Sequence, residues 1–257
     1  MPSSDHTFAR HDLVWLDTAR WRDALVAPVS DAWLEALSGW FSHGRPAVVR
    51  RQESPSTNAL SLGVALPPAR GKMKIPLLVE RGAVIRTSAP LTLQNALASA
   101  PSGWQPPLRD LVDAARRRGI EFRVYGSVAW QHLSGEPYVT PLSDVDLLWA
   151  TRDAALLADV LSLLNAWQAS TGLRADGEFL LPDGSAVAWK ELAVRPRKLL
   201  VKRAAGVEMR QADEVHALLA EAARHDAVRN DPGVGAGLPA IDWPSLGASS
   251  RASSLLR

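Results

Sequence analysis

One stretch constrains this chain more than any other. A strand-like run ends at Tyr125, Gly126-Ser127 opens a short helical run, a polar loop follows, and a second strand begins with Asp144-Val145-Asp146. Strand alternation puts Asp144 and Asp146 on one face and Val145 on the other. Two carboxylates held that close repel each other unless a cation lies between them. The apolar run Leu147-Leu148-Trp149 marks the strand as buried, so the two acids stand at its entrance. Gly126 has no Cβ and lets backbone come close to a ligand. Ser127 falls at a helix N-terminus, where unpaired N–H groups and the dipole favour a phosphate. Hard oxygen ligands beside such a cradle suit Mg²⁺ or Mn²⁺ completed by substrate phosphates, the working parts of phosphoryl or nucleotidyl transfer.

Composition sets the limits around that stretch. The 257 residues, 47% of them hydrophobic, suit one large domain or two modest ones and exclude wholesale disorder. The absence of cysteine removes disulfide scaffolds, thiol nucleophiles and cysteine metal sites, and fits a cytoplasmic protein. A net charge of +2 is too small for a protein that coats nucleic acid. No apolar run approaches the ~20 residues that span a bilayer, and the start lacks the pattern of a signal peptide. Neither nucleic acid nor membrane is expected as a partner.

Along the chain, residues 8–100 read as a small mixed α+β domain. A strand at Leu13–Leu16 is followed by a short helix from Asp17 to Leu25 and a second helix capped by Ser30. Strand runs follow at 47–51, 60–66, 74–79 and 84–87. The Pro-, Ser- and Gly-rich segment 99–107 reads as a domain boundary. Beyond it a second domain, 108–225, carries a helix at 108–118, strands at 121–125 and 144–150, and a long helix capped by Asp153. Hairpins around Pro182-Asp183-Gly184 and Gly206 and a closing helix complete it. Residues 230–257 read as a poorly ordered tail. Arg10, His11 and Asp12 are taken as a structural cluster with Asp12 pairing its two neighbours, and Lys190-Glu191 as a local ion pair. Lys72, Lys74 and Arg70 are taken as solvated charges. Of the ten tryptophans, Trp130 alone, one turn past Ser127, is singled out for ligand contact.

The Gly126-Ser127 to Asp144-Val145-Asp146 core resembles the nucleotidyltransferase superfamily related to DNA polymerase β, with a somewhat longer gap whose extra residues fall at 135–142. The resemblance implies an α+β fold: a polymerase-β-like nucleotidyltransferase domain, a mixed sheet flanked by helices, preceded by the smaller α+β domain. It also implies a third carboxylate from a later strand. Asp176 and Glu178 share a face there and either could serve, with Asp176 preferred as nearer the strand start.

The opening Arg10-His11-Asp12-Leu13-Val14-Trp15, that core, and the run from Asp176-Gly177-Glu178 to Val187-Ala188-Trp189-Lys190-Glu191 together are similar to the MdcG family of phosphoribosyl-dephospho-CoA transferases. Membership implies transfer of a phosphoribosyl-dephospho-CoA group from 2′-(5″-triphosphoribosyl)-3′-dephospho-CoA to a serine of the malonate decarboxylase acyl-carrier subunit, with release of pyrophosphate. On that basis Asp144, Asp146 and Asp176 hold Mg²⁺ or Mn²⁺, Gly126 and Ser127 bind phosphates, and Arg123, Arg197, Lys198 and Lys202, with Arg203 nearby, complete the phosphate site. The core motif alone equally fits a generic ATP-dependent nucleotidyltransferase that adenylylates a small molecule or protein. It also fits, less well, a catalytically silent nucleotide-binding module.

Overall fold

The computed structural model describes residues 8–52, 58–71 and 73–229. The expected tail at 230–257 and Lys72 lie outside them. The chain is α+β and builds two sheets, each with its own core.

The first sheet holds five antiparallel strands: Leu13–Leu16 (β1), Ala47–Val49 (β2), Ala59–Ala65 (β3), Lys74–Glu80 (β4) and Val84–Ser88 (β5), in the order β4-β3-β2-β1-β5. Helix α1, Asp31–Ser42, lays Leu37, Trp40 and Phe41 into the core beneath it, following its apolar spacing. No helix forms between Asp17 and Leu25. That segment makes consecutive turns, with Arg20 N–H donating to Asp17 O and Ala24 N–H to Trp21 O. A helix so short does not recover its nucleation cost alone. Tertiary contacts win instead: Trp21 is buried and Leu25 bridges to Leu77 on the outer edge of β4.

The second sheet holds seven strands: Leu91–Thr92 (β6), Arg123–Val124 (β7), Val145–Ala150 (β8), Ala175–Leu180 (β9), Ala186–Ala188 (β10), Lys198–Lys202 (β11) and Val207–Gln211 (β12). Their order is β12-β11-β10-β9-β8-β7-β6, antiparallel throughout except for the parallel pair β8–β9. The crossover between those two is helix α5 (Ala154–Thr171), whose N-cap Asp153 accepts hydrogen bonds from the Ala155 and Leu156 N–H groups as expected. With it, α2 (Leu93–Ala96), α3 (Gln105–Arg116), α4 (Gly126–Ser134), α6 (Trp189–Ala193) and α7 (Ala212–Arg229) complete the helices of this half. Val145, Leu147 and Trp149 of β8 and Ala175 and Phe179 of β9 point into the core shared with α3 and α5. The opposite face of β8 and β9 therefore carries Asp146, Asp176 and Glu178.

The second core begins earlier than the composition suggests. Strand β6 pairs with β7, and Leu93, Ala96, Leu97 and Ala100 pack with that core, so the change of core falls between Ser88 and Leu91. The Pro-rich 99–107 segment is no linker. Pro106 and Pro107 open α3, where a missing N–H costs nothing because the first turn has no acceptor for it.

Candidate active site

Glycine sets the geometry at two points. Gly126 has φ +62°, and a Cβ placed there would lie 1.8 Å from Asp146 Oδ2. Only a residue without a side chain lets the β7–α4 turn sit against that carboxylate. Gly177, φ +130°, separates Asp176 from Glu178, and a Cβ on it would lie 1.8 Å from Leu147 O. The two motifs are thus fitted to each other across β8.

Asp146 and Asp176 are register partners on the parallel strands, side by side on one face. Burial raises the Asp146 pKa to about 6, helped by the charges of Asp176 and Asp144 and opposed by Lys74 and the Ser127 N–H. Burial is the main cause, and the neighbouring carboxylates add to it at Asp146. Asp176 is half exposed, with Lys190 Nζ 4.0 Å from Oδ1. Asp144, just ahead of β8, turns to Arg174, whose Nε donates to Oδ1 at 2.5 Å, while Arg174 Nη2 donates to Leu142 O. Among the described residues no three of His, Cys, Asp or Glu gather closely enough to hold a metal ion on their own. Asp146 and Asp176 do fit one in another way: they are neighbouring oxygen donors on one sheet face, beside an open cleft from which phosphate oxygens can complete the coordination.

That cleft, about 460 Å³, lies where the two domains meet. Tyr125, Ser127, Trp130 and Asp146 line it from one side, and His11 and Lys74 from the other. The Ser127 N–H is directed at Asp146, so the start of α4 holds a carboxylate where a phosphate was expected. Trp130 lines the cleft as singled out, and its ring also packs near Trp40 and Tyr138. Lys74 is not simply a solvated strand end. It opens β4, lines the cleft and acts on Asp146.

Glu178 has a different fate. Its side chain is only 4% exposed; Arg10 Nη2 donates to Oε1 at 2.9 Å, Lys202 Nζ to Oε1 at 2.8 Å, and His11 Nε2 lies 3.4 Å from Oε2. Burial alone would raise its pKa, but the hydrogen bond from His11, the charge of Arg10 and the hydrogen bond from Lys202 hold it well below the usual carboxylate range. Burial also lowers the His11 pKa, despite Glu178. The His11 ring stacks on Tyr125 at 4.0 Å between centroids, delivered there by a left-handed backbone at φ +72°. Arg10 and His11 therefore bond Glu178 of the other domain rather than Asp12. Asp12 instead accepts the Ala9 N–H through Oδ2, leaving Oδ1 buried without a hydrogen-bond partner. Burial raises its pKa to about 7. No local spacing could have revealed the Arg10–Glu178 pair, since its members lie 168 positions apart.

The predicted cations do not converge on the cleft. Arg123 donates to Pro90 O and pairs with Glu121, each at 2.6 Å. Lys202 is engaged with Glu178, and Arg203 pairs with Glu208 at 2.8 Å. Arg197 lines a separate cavity beside α5 and α7, and Lys198 opens β11 exposed. The Lys190–Glu191 ion pair does not form either: Lys190 faces Asp176, and Glu191 accepts the Leu200 N–H at 2.9 Å.

The longer loop at 135–142 has a clear use. Gln131 Oε1 accepts the N–H groups of Tyr138 and Val139, both at 3.0 Å, and Tyr138 Oη donates to Ala65 O of the first sheet at 2.8 Å. The extra residues fasten the domains beside the cleft.

The fold and cleft define a two-domain α+β protein whose polar site lies at the domain junction. Two family models match it: the N-terminal domain of phosphoribosyl-dephospho-CoA transferase MdcG over residues 9–90 and the C-terminal domain over 92–213. A phosphoribosyl-dephospho-CoA transferase of Xanthomonas axonopodis pv. citri is 41% identical over 195 residues, covering 75% of this chain and 89% of the relative. One from Bradyrhizobium diazoefficiens is 38% identical over 198 residues, covering 77% and 88%. No solved structure matches. The chain belongs to the MdcG family of phosphoribosyl-dephospho-CoA transferases. No helix among the described residues is long and apolar enough to cross a membrane.

Proposed function

We propose that this protein transfers a phosphoribosyl-dephospho-CoA group from 2′-(5″-triphosphoribosyl)-3′-dephospho-CoA to a serine of the malonate decarboxylase acyl-carrier subunit, with loss of pyrophosphate, in the cytoplasm. The observation that carries this reading is the placement of Asp146 and Asp176 side by side at the mouth of the family's C-terminal domain, against the Gly126-Ser127 turn. The strand–Gly-Ser–helix and parallel Asp146/Asp176 arrangement supports a polymerase-β-like nucleotidyltransferase fold for that domain, and hence a nucleotidyltransferase type of reaction.

Asp146 and Asp176, with Asp144 once released from Arg174, would hold Mg²⁺ or Mn²⁺. The ion would supply positive charge to the phosphates and acidify the acceptor hydroxyl. The chain's own groups do the rest. Gly126 keeps the turn close against Asp146, which takes the Ser127 N–H, and the remaining N–H groups and the dipole at the start of α4 favour the phosphate chain. Lys74 adds a fixed cation on the facing wall. Trp130 and Tyr125 give the cleft flat apolar surface for the ring portions of the donor. Arg10 and Lys202 balance the charge of Glu178 and His11 hydrogen-bonds it, which sets that carboxylate apart from Asp146 and Asp176.

The test uses purified protein, apo acyl-carrier subunit, the triphosphoribosyl donor and Mg²⁺. Intact mass should show one phosphoribosyl-dephospho-CoA added per carrier and one pyrophosphate released. An unchanged carrier mass, together with AMP transfer from ATP to a carrier or small-molecule acceptor, would replace this reading with adenylylation.

A further inference from the structure

The face of the second sheet that bears Asp146 and Asp176 is only half covered. Residues 9–12 and the first domain lie over β7–β9, where Arg10, His11 and Tyr125 make their contacts. The Gln52 N–H reaches Ala204 O in the β11–β12 turn, and along the strands themselves the same face keeps exposed apolar side chains. Leu200 and Met209 are register partners there, and Val207 pairs with Lys202 two positions along. Strand alternation sends all three apolar side chains to one side. They are 37%, 56% and 53% exposed. Buried Leu199 and Val201 show that the other side of β11 is the core side. An edge of three adjacent exposed apolar residues on a sheet is not left bare without reason.

Charge frames this patch. Lys198 and Lys202 flank Leu200 on the same face of β11, Lys190 stands between the patch and the site at 4.0 Å from Asp176, and Arg203 lies in the turn beyond. Lys202 is paired with Glu178 and Arg203 with Glu208, and Glu191 accepts the Leu200 N–H, so Lys198 and Lys190 supply the charge of the rim. A surface with an apolar centre and a cationic rim, continuous with the metal-binding mouth, fits an acidic protein partner.

We propose that the open face formed by Leu200, Val207 and Met209, rimmed by Lys190 and Lys198, is where the acidic acceptor protein docks to present its serine to Asp146 and Asp176. The inference rests on the reading above that the acceptor is a protein. Docking here brings the acceptor towards the site along the sheet face from the β11–β12 edge, on the same face that the first domain partly covers.

The experiment compares wild type with Met209→Glu and with Leu200→Glu/Met209→Glu in steady-state modification of the apo acyl-carrier subunit. Both sites are surface positions, and circular dichroism checks that the fold is kept. The KM for the carrier should rise at least 10-fold with kcat little changed, and donor affinity measured by calorimetry without carrier should stay the same. Raising salt should raise the wild-type KM as well. Unchanged carrier KM in both variants overturns the docking proposal while leaving the proposed reaction intact. Wild type that modifies no carrier overturns both. A dimeric wild type that becomes monomeric in Met209→Glu, with carrier KM unchanged, assigns the face to a second copy and overturns the proposal.

Discussion

Asp176 and Glu178 stand two residues apart on the same face of β9, and their surroundings differ in almost every respect. Asp176 is half exposed, next to Asp146, with one lysine at 4.0 Å. Glu178 is sealed under Arg10 and His11 of the other domain and fastened by Lys202. The strand supplies both carboxylates equally. The first domain decides their roles by covering one and stopping short of the other. An acid left in the open mouth stays accessible to a ligand. An acid under the lid has its charge balanced internally and serves to join the domains.

Substitutions can break or sharpen this contrast. The largest effect belongs to the mouth. Asp146→Asn should lower kcat by about 10³-fold, the several kcal/mol a metal's charge stabilisation supplies, while the melting temperature holds or rises because a buried repulsion is gone. Retained activity in that variant would remove Asp146 from the site. Glu178→Gln should do the reverse. Leaving Arg10 and Lys202 around a neutral amide should cost about 3–5 kcal/mol, read as a fall in melting temperature of roughly 10 °C. Large activity loss without destabilisation would mean that Glu178 belongs to the chemistry after all.

Asp12 offers a pH test under the same lid. Burial holds its pKa near 7 in the folded state, above the unfolded value of 3.8. The folded protein therefore keeps that proton where the unfolded chain has lost it. The associated stability is complete below about pH 4 and is lost as pH rises through 7. Relative to wild type, Asp12→Asn should gain up to about 4 kcal/mol between pH 4 and pH 8 in denaturant titrations. A difference that stays flat across that range would contradict the buried, proton-retaining environment. The smallest expected effect is Tyr138→Phe, which removes one hydrogen bond to Ala65 O and should cost about 1–2 kcal/mol.

Much of the mouth can be read from sequence because its signals are local. Gly126-Ser127, Asp144-Val145-Asp146 and Asp176-Gly177-Glu178 each fit within a few residues, and the period of two in a strand states which acids share a face. The long helix behind Asp153 is equally local. What could not be read is what depends on meeting a distant strand. The choice between Asp176 and Glu178 is made by Arg10 and His11, which no period or spacing connects to β9. Residues 17–25 have a helical pattern, yet Leu25 bridges to Leu77. Lys74 looks like a solvated end until the first domain brings it to the cleft beside Ser127 and Asp146. The cations around Arg197 cluster in sequence, but β11 carries Lys198 and Lys202 one way and the turn before it carries Arg197 into another cavity.

Helix α4 is shared property. Val128 and Ala129 belong to one core, while Trp130 and Leu133 pack against the other. No swing of the first domain can leave the Gly126-Ser127 turn where it was, because both hang on the same nine residues. The two halves accordingly cannot be exchanged as modules between relatives unless α4 and the residues it touches are transplanted with them. Heating should melt them in a single cooperative step.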